Sequence, residues 1–416
     1  MHWFTGLFLF FLALVTILRL YLAQRQIDSV REHRDEVPKP FAEDITLADH
    51  QKAADYSAAR VRLGMLDTVV DTLLLLGWTI AGGLGLVLGF WGGLGLNAVV
   101  AGTAAGISVF FIVSLLSLPL SAYSTFAIEA RFGFNRTTFG TFLGDLVKGW
   151  LLMFLLGGPL IAAILWLMDQ AGSKWWLYAW VVWTSFTLLL TWAYPTFIAP
   201  IFNKFTPLAD EQLKQRIEQL MIRCGFRSKG IFVMDGSRRS SHGNAYFTGL
   251  GNNKRIVFFD TLINRLEPAE VEAVLAHELG HFRLNHVRKR MLLSMAIGLA
   301  GLALLGWLTL QPWFYSALGV AQASAAAALL LFIFVLPVFT FVFTPLGSWL
   351  SRRHEFEADA YAVAQSDASL LAVALVKLYR DNATTLTPDS LHSLFYDSHP
   401  PAPVRVARLQ QIAGNA

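Results

Sequence analysis

Long apolar runs, each close to the length of a bilayer crossing, alternate along this chain with shorter polar stretches. A spanning helix needs about 20 apolar residues. Seven runs reach that length by hydropathy, at residues 4–22, 66–91, 98–120, 149–168, 175–195, 291–310 and 325–350. Two polar regions of useful size remain, 203–290 and 351–416. The first reads helix, strand, helix. Leu213, Ile217, Leu220, Met221 and Cys224 fall at amphipathic spacing, Asp210 stands near the helix start, and Gly225 stands where it must close. GIFVMD and KRIVFFDTLI are short β-rich runs. The expected division is a membrane region with five spans over 1–202, half of a polar domain over 203–290, two spans over 291–350, and the other half over 351–416. The two halves are expected to fold together.

Composition strengthens this picture. The chain is 55% hydrophobic and only 15% charged, where about a quarter is usual for a soluble domain. Its net charge of +4 gives no global basic field, so no nucleic-acid partner is expected. The placement of the charges is more telling. Arg25, Arg31, Arg34 and Lys52 follow the first span, and Arg131, Arg136 and Lys148 follow the third. The connections between spans two and three and between six and seven carry no Lys or Arg; that between four and five carries Lys174 alone. The positive-inside rule then puts the N-terminus outside and the C-terminus in the cytoplasm, in a bacterial inner membrane or, in a eukaryote, the endoplasmic reticulum. The first run lacks a basic lead and a small-residue cleavage site, so it is expected to stay as a helix. The single cysteine, Cys224, excludes an internal disulfide and any cysteine metal cluster. Asp67, Asp71, Asp145 and Lys148 lie in or beside spans, where they line a wet cavity or mark helix ends.

Chemistry enters with VEAVLAHELGHFRLNH, residues 271–286. On a helix His277 and His281 share one face, so both imidazoles reach one ion. Glu278 sits beside the first of them, where a carboxylate can hold the attacking water. Catalytic zinc takes a third protein ligand. SRRHEFEADAYA follows the last span, with Glu355 and Asp359 on one face and Glu357 pointing away. Glu355 is a candidate ligand, and Asp359 a candidate acceptor for a ligating histidine. Spacing alone leaves ordinary surface charge on a juxtamembrane helix as an equal reading. His286 leaves the metal face and is not assigned to it, nor is His242; Asn285 is a candidate cap for the turn between. His354 is a less favoured substitute ligand.

HELGH followed, after two spans, by SRRHEFEADAYA resembles the integral-membrane zinc metallopeptidases of the type I CAAX prenyl protease family. IEARFGFNRTTFGTFLGDLVKG, YPTFIAPIFNKFTPL, VMDGSRRSSHGNAYFTGLG and SHPPAPVRVARL resemble that family's segments in its order. The resemblance covers most of the chain. It implies zinc ligands at His277, His281 and Glu355, a general base at Glu278, and a supporting carboxylate at Asp359. It further implies that Asn244 and Ala245 align a substrate backbone and that His399 and Arg405 face the scissile bond. Arg405 as an anchor to membrane phosphates is the competing reading. Loops shorter than is usual in the family suggest a prokaryotic member.

The expected fold class is therefore a mainly α, polytopic membrane protein with about seven spans and a split α+β zincin-like domain. The expected function is hydrolysis of peptide bonds in membrane-tethered, including prenylated, peptide or protein substrates, with one zinc per chain and membrane lipids as surroundings. In a prokaryote the same chemistry serves membrane-protein quality control. A transporter or scaffold with structural zinc is the alternative, and it predicts no role for Glu278.

Overall fold

The computed structural model describes residues 2–226, 230–248 and 255–414. Residues 249–251, Lys254 and the last two residues of the second polar region, all within segments quoted above, lie outside the described residues. Helices α1 (Trp3–Glu32), α2 (Leu47–Trp78), α3 (Gly83–Gly92) and α4 (Ala98–Tyr123) come first. Helices α2 and α4 start where short polar side chains cap free backbone N–H groups: Thr46 accepts from Asp49 N and Asn97 from Val100 N. Helices α2 and α3 form a pair bent by 48°, with the geometry of a broken span or a re-entrant loop, and Gly82 at the bend takes a left-handed φ of 81°. Next, α5 (Phe139–Leu152) and α6 (Gly158–Gln170) join through a π turn, and α7 (Trp175–Ala193) runs through another into α8 (Ala199–Phe202). Among the described residues six helical runs are long and apolar enough to cross a membrane, or seven with the bent pair counted as one span. Leu86, Phe154, Ile297 and Leu346 stand exposed on these runs. Water would penalise that exposure, whereas lipid solvates it.

The polar part begins with strand β1 (Phe205–Pro207) and α9 (Glu211–Cys224). Asp210 caps α9 by accepting from Gln212 N and Leu213 N, and Gly225 ends it at φ 72°. Cys224 is a buried free thiol. Strands β2 (Ile231–Met234), β3 (Ala245–Thr248) and β4 (Arg255–Phe259) complete a sheet of order β1-β2-β4-β3. Strand β2 pairs parallel with β4, and β3 pairs antiparallel with β4, Ala245 opposite Phe258. Among the described residues one edge of β3 is thus unpaired. The run KRIVFFDTLI is strand only as far as Phe259; DTLI is the helical turn α10 (Asp260–Ile263). Its Asp260 carboxylate accepts from Ser237 N and Thr261 N, which turns the chain out of the sheet.

Helix α11 (Pro268–Arg283) opens with a capping box between Glu267 and Glu270 and Pro268 in its first turn. After Asn285, left-handed at φ 59°, α12 (His286–Leu308) enters the membrane region. Asn285 makes no side-chain cap, so its contribution to the turn is conformational. The short α13 (Pro312–Ser316) follows, and α14 (Ala325–Thr340) continues through a 3-10 turn into α15 (Thr344–Gln365). Then come α16 (Ala368–Asp381), α17 (Ser390–Tyr396) and α18 (Ala402–Gly414). One apolar core takes Leu213, Ile217, Phe258 and Leu275 from before spans six and seven, and Ala362, Leu371 and Leu409 from after them. A second core packs the spans themselves around Phe8, Leu84, Val109 and Leu330.

Candidate metal centre and active site

The site forms where α11 crosses α15. Gly280 makes the close crossing possible: a Cβ there would lie 3.1 Å from both the Cα and the carbonyl oxygen of Ala358. Those are backbone atoms, so a larger residue must push the helices apart. Gly280→Val is expected to cost about 1–3 kcal/mol by overpacking and to weaken metal binding. A thermal melt and a zinc titration of the purified variant check both.

Across this contact, His277 Nε2 lies 3.3 Å from Glu355 Oε2, His281 Nε2 lies 3.2 Å from Glu355 Oε1, and the two Nε2 atoms are 3.2 Å apart. Ligand atoms of all three residues fall within 4.8 Å of one another. His277 Nδ1 contacts Asp359 Oδ1 at 2.8 Å. An ionised carboxylate only accepts, so His277 carries its proton on Nδ1 and turns a lone pair of Nε2 toward its neighbours. Glu355 Oε2 is buried without a hydrogen-bond partner. Lone pairs and a carboxylate converging in a buried space repel one another unless a cation lies between them. The donor set of two imidazoles and one carboxylate therefore fits a divalent metal.

Asp359 is itself held by Arg405, whose Nε and Nη2 donate to its two oxygens at 2.8 and 2.6 Å. Arg405 is buried, so it is not exposed to lipid phosphates. Its Nη1 faces Glu355 Oε2 at 3.7 Å. His399, on the turn before α18, puts Nε2 3.6 Å from the same oxygen, while Ser398 Oγ touches its Nδ1 at 3.0 Å. Glu278 faces a cavity of about 200 Å³ that Asn244, Ala245, His277, His399 and Arg405 also line. Burial raises the Glu278 carboxyl above the usual glutamate range. Leu262, Val274, Leu371 and Leu375 give the cavity an apolar wall. The structure thus brings together every site residue expected from the sequence.

Four further residues were not foreseen. His286 Nδ1 lies 3.0 Å from His281 Nδ1, and its Nε2 lies 3.1 Å from Glu357 Oε2. The expectation that both residues point away holds for their own helices. Neither joins the converging group, yet they meet each other, because α12 starts afresh after Asn285 and its first residue reaches Glu357 and His354 of α15. Tyr379 lines the cavity. Asn382 grips Gly243, two residues before the edge strand, twice, accepting from its N at 2.9 Å and donating to its O at 3.2 Å. Neither residue sits in a motif, and no local signal marks them. His354 stacks on His286, ring centroids 4.1 Å apart, and is not among the converging ligands. His242 stacks on Phe134 and contacts Glu129, away from the metal group. Asp145 pairs with Arg239, and Lys148 donates to Ile201 O; both tie span four to its neighbours.

Residues 26–204 match the family described as CAAX prenyl protease N-terminal, five membrane helices, and residues 207–413 match peptidase family M48. CAAX prenyl protease 1 homolog of Oryza sativa subsp. japonica is 35% identical over 94% of this chain and 95% of its own. CAAX prenyl protease 1 of Saccharomyces cerevisiae is 37% identical over 72% of this chain and 70% of its own. The crystal structure of S. mikatae Ste24p superposes with a TM-score of 0.89 at 30% identity, covering 98% of this chain and 99% of that one. These relatives are eukaryotic and lend no support to a prokaryotic source. Family M48 implies a metal cofactor, which the converging His and Glu side chains accommodate. The spans, the crossing of α11 and α15 and these similarities lead to one conclusion: the chain belongs to the CAAX prenyl protease 1 family of membrane-embedded M48 metalloendopeptidases.

Proposed function

We propose that this chain uses one zinc ion, held by His277, His281 and Glu355, to cleave prenylated substrates near their C-terminus at the cytoplasmic membrane face. The observation that carries the reading is the Glu278 carboxylate, which shares one cavity with His277 and with the residues at the start of an unpaired strand edge. Zinc in this site would supply Lewis acidity toward the attacking water and the scissile carbonyl. Glu278 takes the proton from that water and passes it to the leaving amine. His399 and the Nη1 of Arg405 face the oxyanion. Asp359 fixes the His277 tautomer and Arg405 holds Asp359. The split domain over 203–290 and 351–416 is supported by its shared core.

Purified protein should release the C-terminal tripeptide from a farnesylated CAAX peptide, lose that activity to a zinc chelator, and regain it on adding zinc. Equal cleavage of the unprenylated peptide or of ordinary membrane-protein segments would reject the prenyl preference and favour a quality-control role.

Substrate alignment gives a separate prediction. A peptide added to β3 would pair main chain to main chain, and Asn244 stands at the strand's entrance beside the cavity. Its side chain accepts from Ala245 N, and its carbonyl accepts from Phe259 N. Asn244→Ala is expected to lower cleavage on the order of 100-fold by misplacing the carbonyl, with zinc content unchanged. Were Asn244 only a turn residue, its loss would cost roughly 1 kcal/mol of stability and leave the folded fraction fully active. Kinetics and melting temperature on one preparation separate these.

Orientation follows the charge pattern, with the N-terminus outside and the polar domain cytoplasmic. The Lys148–Ile201 contact sets the start of span four beside the end of span five, so these two ends share one side. With Cys224 replaced, single cysteines at Gln170 and Thr206 should label from opposite sides of sealed vesicles. Labelling from one side would break the assignment.

A further inference from the structure

We infer that His286 and Glu357 are positioning residues for the second histidine of the metal centre, forming with it a hydrogen-bond relay from His281 through His286 to Glu357. The inference rests on the reading of His281 as a ligand. The relay is not implied by HExxH, because neither residue belongs to that motif.

Hydrogen-bond directions along the relay have one consistent solution. His281 turns Nε2 toward Glu355 and His277. If that nitrogen ligates, the proton of the neutral ring sits on Nδ1. His281 Nδ1 lies 3.0 Å from His286 Nδ1. Two ring nitrogens at that distance need one donor and one acceptor, so His286 presents a lone pair from Nδ1. Its own proton then sits on Nε2, which lies 3.1 Å from Glu357 Oε2. A carboxylate accepts there without conflict. The other oxygen, Oε1, accepts from Arg353 Nε at 3.0 Å. Reversing any one direction leaves two donors or two lone pairs facing each other.

The surroundings fix His286 as firmly as its hydrogen bonds do. Its side chain is fully buried, at 0% exposure. Its ring lies nearly parallel to that of His354, 9° between planes. The left-handed Asn285 immediately before it directs the start of α12 back toward α11. Glu357 is one-third exposed, so the relay ends at the protein surface.

The arrangement also resolves an asymmetry. His277 has a buried carboxylate, Asp359, directly on its Nδ1. His281 has none there, and His286 relays one to it at a remove. One helix, α15, would then serve the whole centre: Glu355 as ligand, Asp359 behind the first histidine, and Glu357 behind the second. Partners of this kind hold a ligating ring in its tautomer and orientation, and losing one typically costs about 10- to 100-fold in metal affinity.

The test measures zinc affinity by chelator competition on the purified full chain, together with the visible spectrum of the cobalt-substituted protein. His286→Phe keeps the buried ring on His354 but cannot accept from His281. It should weaken zinc binding about 10- to 100-fold and shift the cobalt bands, while the zinc-free melting temperature stays near that of the unaltered protein. Glu357→Leu and Glu357→Gln both remove the charge, but only Gln keeps an oxygen that accepts from His286 Nε2. Gln should therefore stay within about threefold of the unaltered affinity while Leu falls about tenfold, which isolates the hydrogen bond from packing and charge. The Glu357 pair reads the relay even if His286→Phe does not fold. Unchanged affinity in Glu357→Leu, or equal losses in Leu and Gln, would overturn the relay. Failure of the unaltered chain to bind zinc would instead overturn the ligand assignment beneath it.

Discussion

Glu278→Gln is expected to bind zinc as the unaltered chain does and to lose turnover by about 100- to 10,000-fold. The amide preserves the volume and one carbonyl acceptor of the carboxylate. It cannot take a proton from water. The metal group does not include Glu278, so the substitution leaves the three converging ligands in place. Burial holds the native carboxyl above its ordinary range, so neutralising this side chain should not destabilise the fold. Activity per bound zinc is the quantity to measure. A value within a few-fold of the unaltered enzyme would remove Glu278 from the reaction and reopen the reading in which the metal is only structural.

Glu355→Ala is expected to abolish both activity and stable metal binding. Two imidazoles remain, one short of the three protein ligands that catalytic zinc sites use. Glu355 is nearly fully buried, and its two oxygens face both histidines. Neither of the other two carboxylates on α15 is free to take its place: Asp359 is engaged by Arg405, and Glu357 lies beyond His286. Elemental analysis after dialysis should give about one zinc per chain for the unaltered protein and almost none for the variant. Retention of stoichiometric zinc by Glu355→Ala would show that the third ligand lies elsewhere.

Local chemistry made much of this legible in the sequence. The amphipathic spacing of α9, its Asp210 cap and its Gly225 end are all written between residues 210 and 225. His277, Glu278 and His281 declare themselves because one helix carries all three. Glu355 was harder, since two spans separate it from the histidines and spacing alone did not favour a ligand over a surface charge; the resemblance to a family supplied the choice. Strand β1 is three residues long and ends on a proline, too short for any alternation to show. DTLI carries β-prone side chains, but the Asp260 carboxylate turns it helical. The π turns within the spans leave no mark on hydropathy. His286 and Glu357 stay outside the converging group, as the face argument expects; their contact with each other lies beyond it, because that argument applies within one unbroken helix and Asn285 breaks it.

The shared core has a consequence for how the enzyme is made. Chains are synthesised from the N-terminus, at about 5–20 residues per second. The helix with His277 and Glu278 is therefore complete while Glu355 is still untranslated, and the intervening stretch holds two membrane spans. Asp359 follows Glu355, then His399, and Arg405 comes last. Until α15 and α18 settle against α11, the two histidines lack their third partner and the core around Leu275 and Leu371 stays open. A nascent chain in the bilayer, crowded by other unfinished proteins, thus carries a dormant half-site. On the proposed ligand set, the centre closes only after both of these spans and Glu355 have been made.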